Sequence, residues 1–198
     1  MGFGGNAWSA NDLAIHLHEI FADPDIVVFH YRGYAPSTGT CSARAILEDA
    51  LAIHDEVVAQ LAPDQILVVG LSVGAGPAAH LARSRPIAGL ILVTPFDTLE
   101  ALAREHYPRL PVGLLLRHHM DLAGDLAAVP APVAVISAAE DTVVPPLRTD
   151  AVRRSAPTLV ADRVIANAGH NYIYNRIEYR RAMQDAMSLV EAGAQTDY

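Results

Sequence analysis

An α/β architecture, a mostly parallel sheet with helices on both faces, follows from three features of the sequence. Short unbroken runs of apolar, largely β-branched residues recur at 25–31, 65–69, 88–93, 132–137 and 158–166. Runs of that kind suit strands buried on both faces. Segments with helical apolar spacing lie between them, so strands and helices alternate along the chain. Third, a glycine-flanked serine, Gly70-Leu71-Ser72-Val73-Gly74, stands at a strand-to-helix junction.

Taken in order, only Met1, Gly2 and Phe3 precede a turn at Gly4-Gly5-Asn6. Ser9 with Asp12 three residues on approximates a capping box and opens a helix to about residue 22. Ala14, Ile15, Leu17 and Phe21 are its expected apolar face. The strand 25–31 leads into a loop rich in turn residues at 33–39. A helix over 42–61 presents Ile46, Leu47, Ala50, Ile53, Val57 and Val58 on one side. The strand 65–69 runs into Ser72, and an alanine-rich helix continues to about residue 84. The next strand ends at Thr94-Pro95. Residues 96–130, broken by Pro108, Pro111 and Pro130, form an irregular helical insertion. A strand at 132–137, a loop through Asp141, a helix over 146–155, a strand at 158–166 and a turn at 167–170 follow. A final amphipathic helix covers 175–192, ahead of a polar tail. With no repeat, linker or low-complexity tract, residues 1–198 read as one domain.

The totals exclude several functions. A hydrophobic fraction of 52% supports one sizeable core, and a net charge of −8 without a basic stripe argues against a nucleic-acid or anionic-membrane partner. All 14 basic residues are arginine. The absence of lysine removes Schiff-base, Ser–Lys and phosphate-loop chemistry. The single Cys41 cannot form an internal disulfide, no apolar run reaches bilayer length, and no leader pattern opens the chain. The expectation is a cytoplasmic protein with no transmembrane segment. No H-E-x-x-H occurs, and neither His16/His18 nor His118/His119 has ligand geometry, so no metal and no cofactor is expected.

The chemistry centres on Ser72. At a tight turn its backbone is strained, its hydroxyl stands clear of the sheet, and flanking glycines leave room for neighbouring backbone. The helix that follows adds free N–H groups and partial positive charge. In such a sheet the loops after the strands gather at one edge, which brings Gly4-Gly5-Asn6, Ser72, Asp141 and His170 together. A serine becomes nucleophilic when a base takes its proton, and histidine suits that task at neutral pH. A carboxylate on the far ring nitrogen fixes the tautomer. Asp141 and His170 each follow a strand, in the order Ser, Asp, His expected of an α/β-hydrolase. Asp141 also has a plain reading as a turn or capping residue, and Asp97 is the reserve acid. Asp125, Asp150 and Asp162 are expected to face solvent. His30, His54, His80 and His106 are expected in packing or surface roles. Arg32 is expected to bond loop carbonyls rather than a substrate carboxylate. Tyr34, Tyr172 and Tyr174 read equally as pocket walls or ordinary half-buried tyrosines.

On these residues the chain resembles the α/β-hydrolase superfamily, and within it the Bem46-like, ABHD13/ABHD17-type serine hydrolases. Tyr31-Arg-Gly-Tyr-Ala-Pro-Ser-Thr-Gly39 is similar to that group's Y-R-G-Y-G-x-S-x-G loop, with Ala35 replacing a glycine. Gly169-His170-Asn171 matches its G-H-N ending, and Thr94-Pro-Phe-Asp-Thr98 resembles its S-P-F-D-S stretch. Gly4-Gly5-Asn6-Ala7 resembles its H-G-N-A turn, with Gly4 in the histidine position. The resemblance implies an oxyanion hole made by the backbone N–H groups of Asn6 and Val73, and cleavage of a small-molecule ester or acyl-thioester. It also implies that two strands and most of a central one are missing ahead of Gly4. The expectation is therefore an N-terminally shortened hydrolase, either a fragment or a fold whose exposed edge is covered by a homo-oligomer partner. The spacing of the strands around 96–130 leaves no room for a large lid domain, so an open cleft bordered by 96–125 is expected, which favours ester or acyl-thioester substrates over buried lipids. A non-catalytic interaction protein and an amide or peptide hydrolase are the alternatives.

Overall fold

A computed structural model of the chain describes residues 1–6 and 8–194. Ala7 of the glycine turn and the end of the polar tail lie outside the described residues. Five parallel strands form one sheet in the order β1-β2-β3-β4-β5. They are β1 (Gly2–Phe3), β2 (Leu67–Leu71), β3 (Gly89–Val93), β4 (Val133–Ala138) and β5 (Leu159–Ile165). Spatial order equals sequence order, so every crossover from β2 onward steps the same way. Right-handed crossovers then put the connecting helices on one face. That face carries α2 (Ala43–Leu61), α3 (Ala75–Ser84), α6 (Leu122–Leu126) and α7 (Pro146–Ser155), while α4 (Leu99–His106) and α5 (Val112–Leu115) lie within the connection from β3 to β4. The other face is covered by α1 (Ala10–Ile20) and α8 (Ile177–Ala194).

Period-two alternation divides the core accordingly. Val69, Ile91, Val93 and Ile136 point to α1 and α8, where Leu17, Tyr179 and Met183 meet them. Val68, Leu90, Leu92 and Val135 point to the opposite layer, against Ala78, Leu81 and Leu122. That double burial is why these strands read as continuous apolar runs.

Three expectations are corrected. The stretch 25–31 is not a strand: it makes one bridge, Gly2 to Val28, and Gly2 N–H donates to Val27 O at 2.8 Å. Its neighbour β1 is two residues long, which leaves no ladder to extend. Gly2 and Phe3 pair with Val69 and Gly70, so β1 stands at one end of the sheet, directly ahead of Gly4. Phe3 is fully buried, edge-on to Phe29 at 5.3 Å. The apolar face of α1 is Ala10, Leu13, Leu17 and Ile20, while Ile15 is exposed. Ser9 does cap that helix, accepting from Asp12 N–H at 3.1 Å. On α2 the buried stripe is Ala43, Ile46, Ala50 and His54, with Val58 outside it.

Candidate active site

β2 delivers the chain to Ser72, whose φ of 51° is left-handed, and a 3-10 turn over Ser72–Gly74 leads into α3. Both flanking glycines are steric requirements. A Cβ on Gly70 would stand 2.7 Å from Ala75 Cα and 2.7 Å from Ala78 Cβ. On Gly74 it would stand 2.2 Å from Phe3 O and 2.6 Å from Gly4 O. Gly74→Ala must therefore push β1 and its turn off the elbow. A loss of about 3 kcal/mol in urea unfolding is expected, together with lost turnover.

Two further loops converge on Ser72. Ala139 N–H donates to Ile165 O at 3.0 Å and Glu140 N–H to Ala168 O at 2.9 Å, which ties the loop after β4 to the loop after β5. Asp141 Oδ1 accepts from Val143 N–H at 2.9 Å and Val144 N–H at 2.7 Å. Its Oδ2 lies 2.7 Å from His170 Nδ1, and His170 Nε2 lies 2.9 Å from Ser72 Oγ. Asp141 and His170 are both buried. A carboxylate only accepts, so the ring proton sits on Nδ1 and Nε2 is left to accept from the serine hydroxyl.

The glycine turn lies against the same serine. A Cβ on Gly5 would come 3.4 Å from Ser72 Cβ. The buried Tyr31 hydroxyl donates to Gly4 O at 2.9 Å, and Tyr34 hydroxyl donates to Asn6 Oδ1 at 3.2 Å. The tyrosines of the 31–39 loop thus hold the turn in place. A cavity of about 190 Å³ adjoins it, lined by Gly4, Asn6, Trp8, Phe29, Tyr31 and Tyr34. Val73 is the second residue of the 3-10 turn, where a helical N–H has no partner within the helix.

The remaining named residues lie apart from this cluster. Asp97 pairs with Arg148 at 3.0 Å. Asp125 does not face solvent as expected: it is mostly buried between His80 at 3.1 Å and Arg83 at 2.8 Å. Asp150 and Asp162 are half-exposed and both pair with Arg153. Arg32 pairs with Asp49 rather than with loop carbonyls, because α2 presents that carboxylate to it. Tyr172 is exposed, and Tyr174 packs against Trp8 with ring centroids 5.2 Å apart. Sequence reasoning did not assign Tyr31 to the turn, His106, which lies 2.7 Å from Val143 O, or Thr94 at φ 46°. A residue before proline is ordinarily extended, so nothing local signalled the strained Thr94. Among the described residues no group of three or more His, Cys, Asp or Glu is placed to hold a metal. No helix among them is long and apolar enough to cross a membrane.

An aromatic cluster behind the site makes stability depend on pH. His16 Nε2 lies 3.0 Å from the Tyr179 hydroxyl, with Tyr174 packed against both rings. Burial holds His16 below its usual 6.5, with Arg180 adding to the effect. Burial also pushes the Tyr179 and Tyr31 hydroxyls upward, and Tyr174 up to about 12. Below about pH 6.5 the unfolded histidine takes up its proton first, and above about pH 10 the unfolded tyrosines lose theirs first. Burial also holds the Met1 amino group at about 6, below its usual 8.0, so urea midpoints should be highest between about pH 8 and 10 and fall on either side.

The fold agrees with what the chain is similar to. A family model described as alpha/beta hydrolase fold matches residues 1–128. The chain belongs to the alpha/beta-hydrolase-fold family. An uncharacterised protein of Mycobacterium tuberculosis (strain H37Rv) is 33% identical over 172 residues, 86% of this chain and 60% of that protein. A lysophosphatidylserine lipase of Danio rerio is 28% identical over 162 residues, 71% of this chain and 42% of that enzyme. The chain thus spans about 60% of the length of the mycobacterial relative and less of the lipase. Among solved structures, a putative hydrolase from Agrobacterium vitis superposes with a TM-score of 0.72 at 17% identity, covering 96% of this chain and 87% of that one. A serine hydrolase homologue from Coxiella burnetii gives 0.66 at 22% identity, covering 86% and 74%.

Proposed function

We propose that this protein is a hydrolase that cleaves a carboxylic ester or thioester through an acyl-enzyme intermediate on Ser72. The observation that carries this reading is the unbroken relay from Ser72 Oγ to His170 Nε2 at 2.9 Å and from Nδ1 to Asp141 at 2.7 Å. Ser72 Oγ bonds the substrate carbonyl carbon while its proton passes to Nε2. The carbonyl oxygen becomes an oxyanion, received by the backbone N–H groups of Asn6 and Val73, and each such donor is worth about 3–4 kcal/mol in the transition state. The imidazolium, steadied by Asp141, gives its proton to the departing alcohol or thiol as the carbonyl re-forms. Water then attacks the acyl-serine with His170 as base, releasing the acid and restoring the hydroxyl. No cofactor or metal enters any step.

Within the family, the Tyr31–Gly39 loop motif and its grip on Gly4 and Asn6 favour the Bem46-like, ABHD13/ABHD17-type group. The lysophosphatidylserine lipase relative favours an ester over an amide. Within the segment 96–130 it is Phe96, Leu99, Leu102 and Met120, packed beside Val73, that would border the cleft. A lone cysteine favours the cytoplasm. A panel of acyl esters, thioesters and amides, followed in the pre-steady state, tests the reading. A burst of leaving group on esters or thioesters is expected. Amide cleavage alone, or no turnover of any acyl compound, would count against it.

A further inference from the structure

The stretch after α4 turns apolar side chains outward. Val112 is buried and Gly113 lies against α4, where a Cβ would come 3.1 Å from Glu100 Oε1. That seating leaves Leu114 and Leu115 88% and 60% exposed, with Tyr107 and Leu110 beside them in sequence at 59% and 53%. Residues 107–119 also carry Arg109, Arg117, His118 and His119 and no acidic residue, a local exception to the net charge of −8 that elsewhere opposes an anionic surface. Both arginines are exposed, and neither makes an ion pair among the described residues. An apolar knob flanked by unpaired cations on an acidic protein complements one surface in particular. Leucines can enter the acyl boundary of an anionic lipid layer while guanidinium groups meet its headgroups.

The knob is continuous with the mouth of the site. Leu99 and Leu102 of α4 pack with Phe96 and Met120 beside Val73, the residue after Ser72. At the other end of α4, His106 lies 2.7 Å from Val143 O, and Val143 N–H binds Asp141. We infer that residues 107–117 dock the protein on an anionic lipid surface and turn the mouth beside Ser72 toward it. The docking stands by itself; delivery of a lipid-borne ester to Ser72 rests on the function proposed above.

Co-sedimentation with vesicles of phosphatidylcholine, with and without phosphatidylglycerol, tests the inference. Turnover of a short water-soluble ester is followed in parallel without vesicles. The expected result is binding to the phosphatidylglycerol vesicles, weakened roughly tenfold or more by Leu114→Asp/Leu115→Asp. Arg109→Ala and Arg117→Ala should each weaken it about fivefold. Soluble-ester turnover should be unchanged in all three variants, which also shows that they fold. No binding to anionic vesicles, equal binding to both vesicle types, or undiminished binding by the leucine variant would overturn the inference. So would a wild-type dimer that the leucine variant dissolves, without vesicle binding, since the knob would then join two copies. Absence of soluble-ester turnover in the wild type strikes the Ser72 reading alone, and the vesicle comparison still decides the docking.

Discussion

Ser72→Ala is expected to lower kcat/KM on the best acyl substrate by roughly 10⁴–10⁶-fold while leaving the urea midpoint nearly unchanged. The two halves of that result have different causes. Among the described residues the hydroxyl bonds only to His170, so its removal leaves backbone and packing intact. The strained φ of 51° is held by the surroundings, since β2 ends there and the glycines at 70 and 74 let α3 and the Gly4 turn close around it. Alanine in that frame loses only the reacting atom. Residual rate above water would report the backbone N–H groups of Asn6 and Val73, which the substitution does not touch. Steady-state kinetics and unfolding on one preparation check both halves.

Asp141→Asn should be nearly as severe, about 10⁴-fold in kcat. The hydrogen bonds at Asp141 explain why so small a change matters. Oδ1 accepts from two backbone donors, Val143 and Val144, so the amide oxygen of asparagine must occupy that position. The NH₂ group is then forced to the Oδ2 position, 2.7 Å from His170 Nδ1, and donates to it. The ring proton moves to Nε2, which faces Ser72 as a donor and no longer as a base. The fold should survive, because both backbone bonds are kept. Asp141→Ala would strand the two N–H groups as well, and should cost stability in addition to rate. Comparing the two variants by kinetics and urea unfolding separates tautomer control from loop support.

How much of this could be read in advance depended on whether the signal was local. The strands β2 to β5 were legible because burial on both faces makes each an unbroken apolar run. The convergence of Ser72, Asp141 and His170 was legible because each follows such a run, and a parallel sheet gathers its loops at one edge. Segment 25–31 has the same composition yet forms one bridge, since strand formation needs a partner and β1 offers two residues. The face of α1 was misjudged for a similar reason: Ile15 and Leu13 are equally apolar, and only the position of α8 and the sheet decides which is covered. Asp125 looked like a surface carboxylate until the contact of α3 with α6 set it between His80 and Arg83. The hold of Tyr31 on Gly4 spans 27 residues and left no mark on spacing.

The most direct test of the central claim is to treat the protein with a fluorophosphonate and locate the adduct by peptide mass spectrometry. The account predicts one stoichiometric phosphonyl group on Ser72, formed slowly or not at all in His170→Ala. A folded protein that takes up no label, or carries it on another residue while Ser72 stays free, would contradict it.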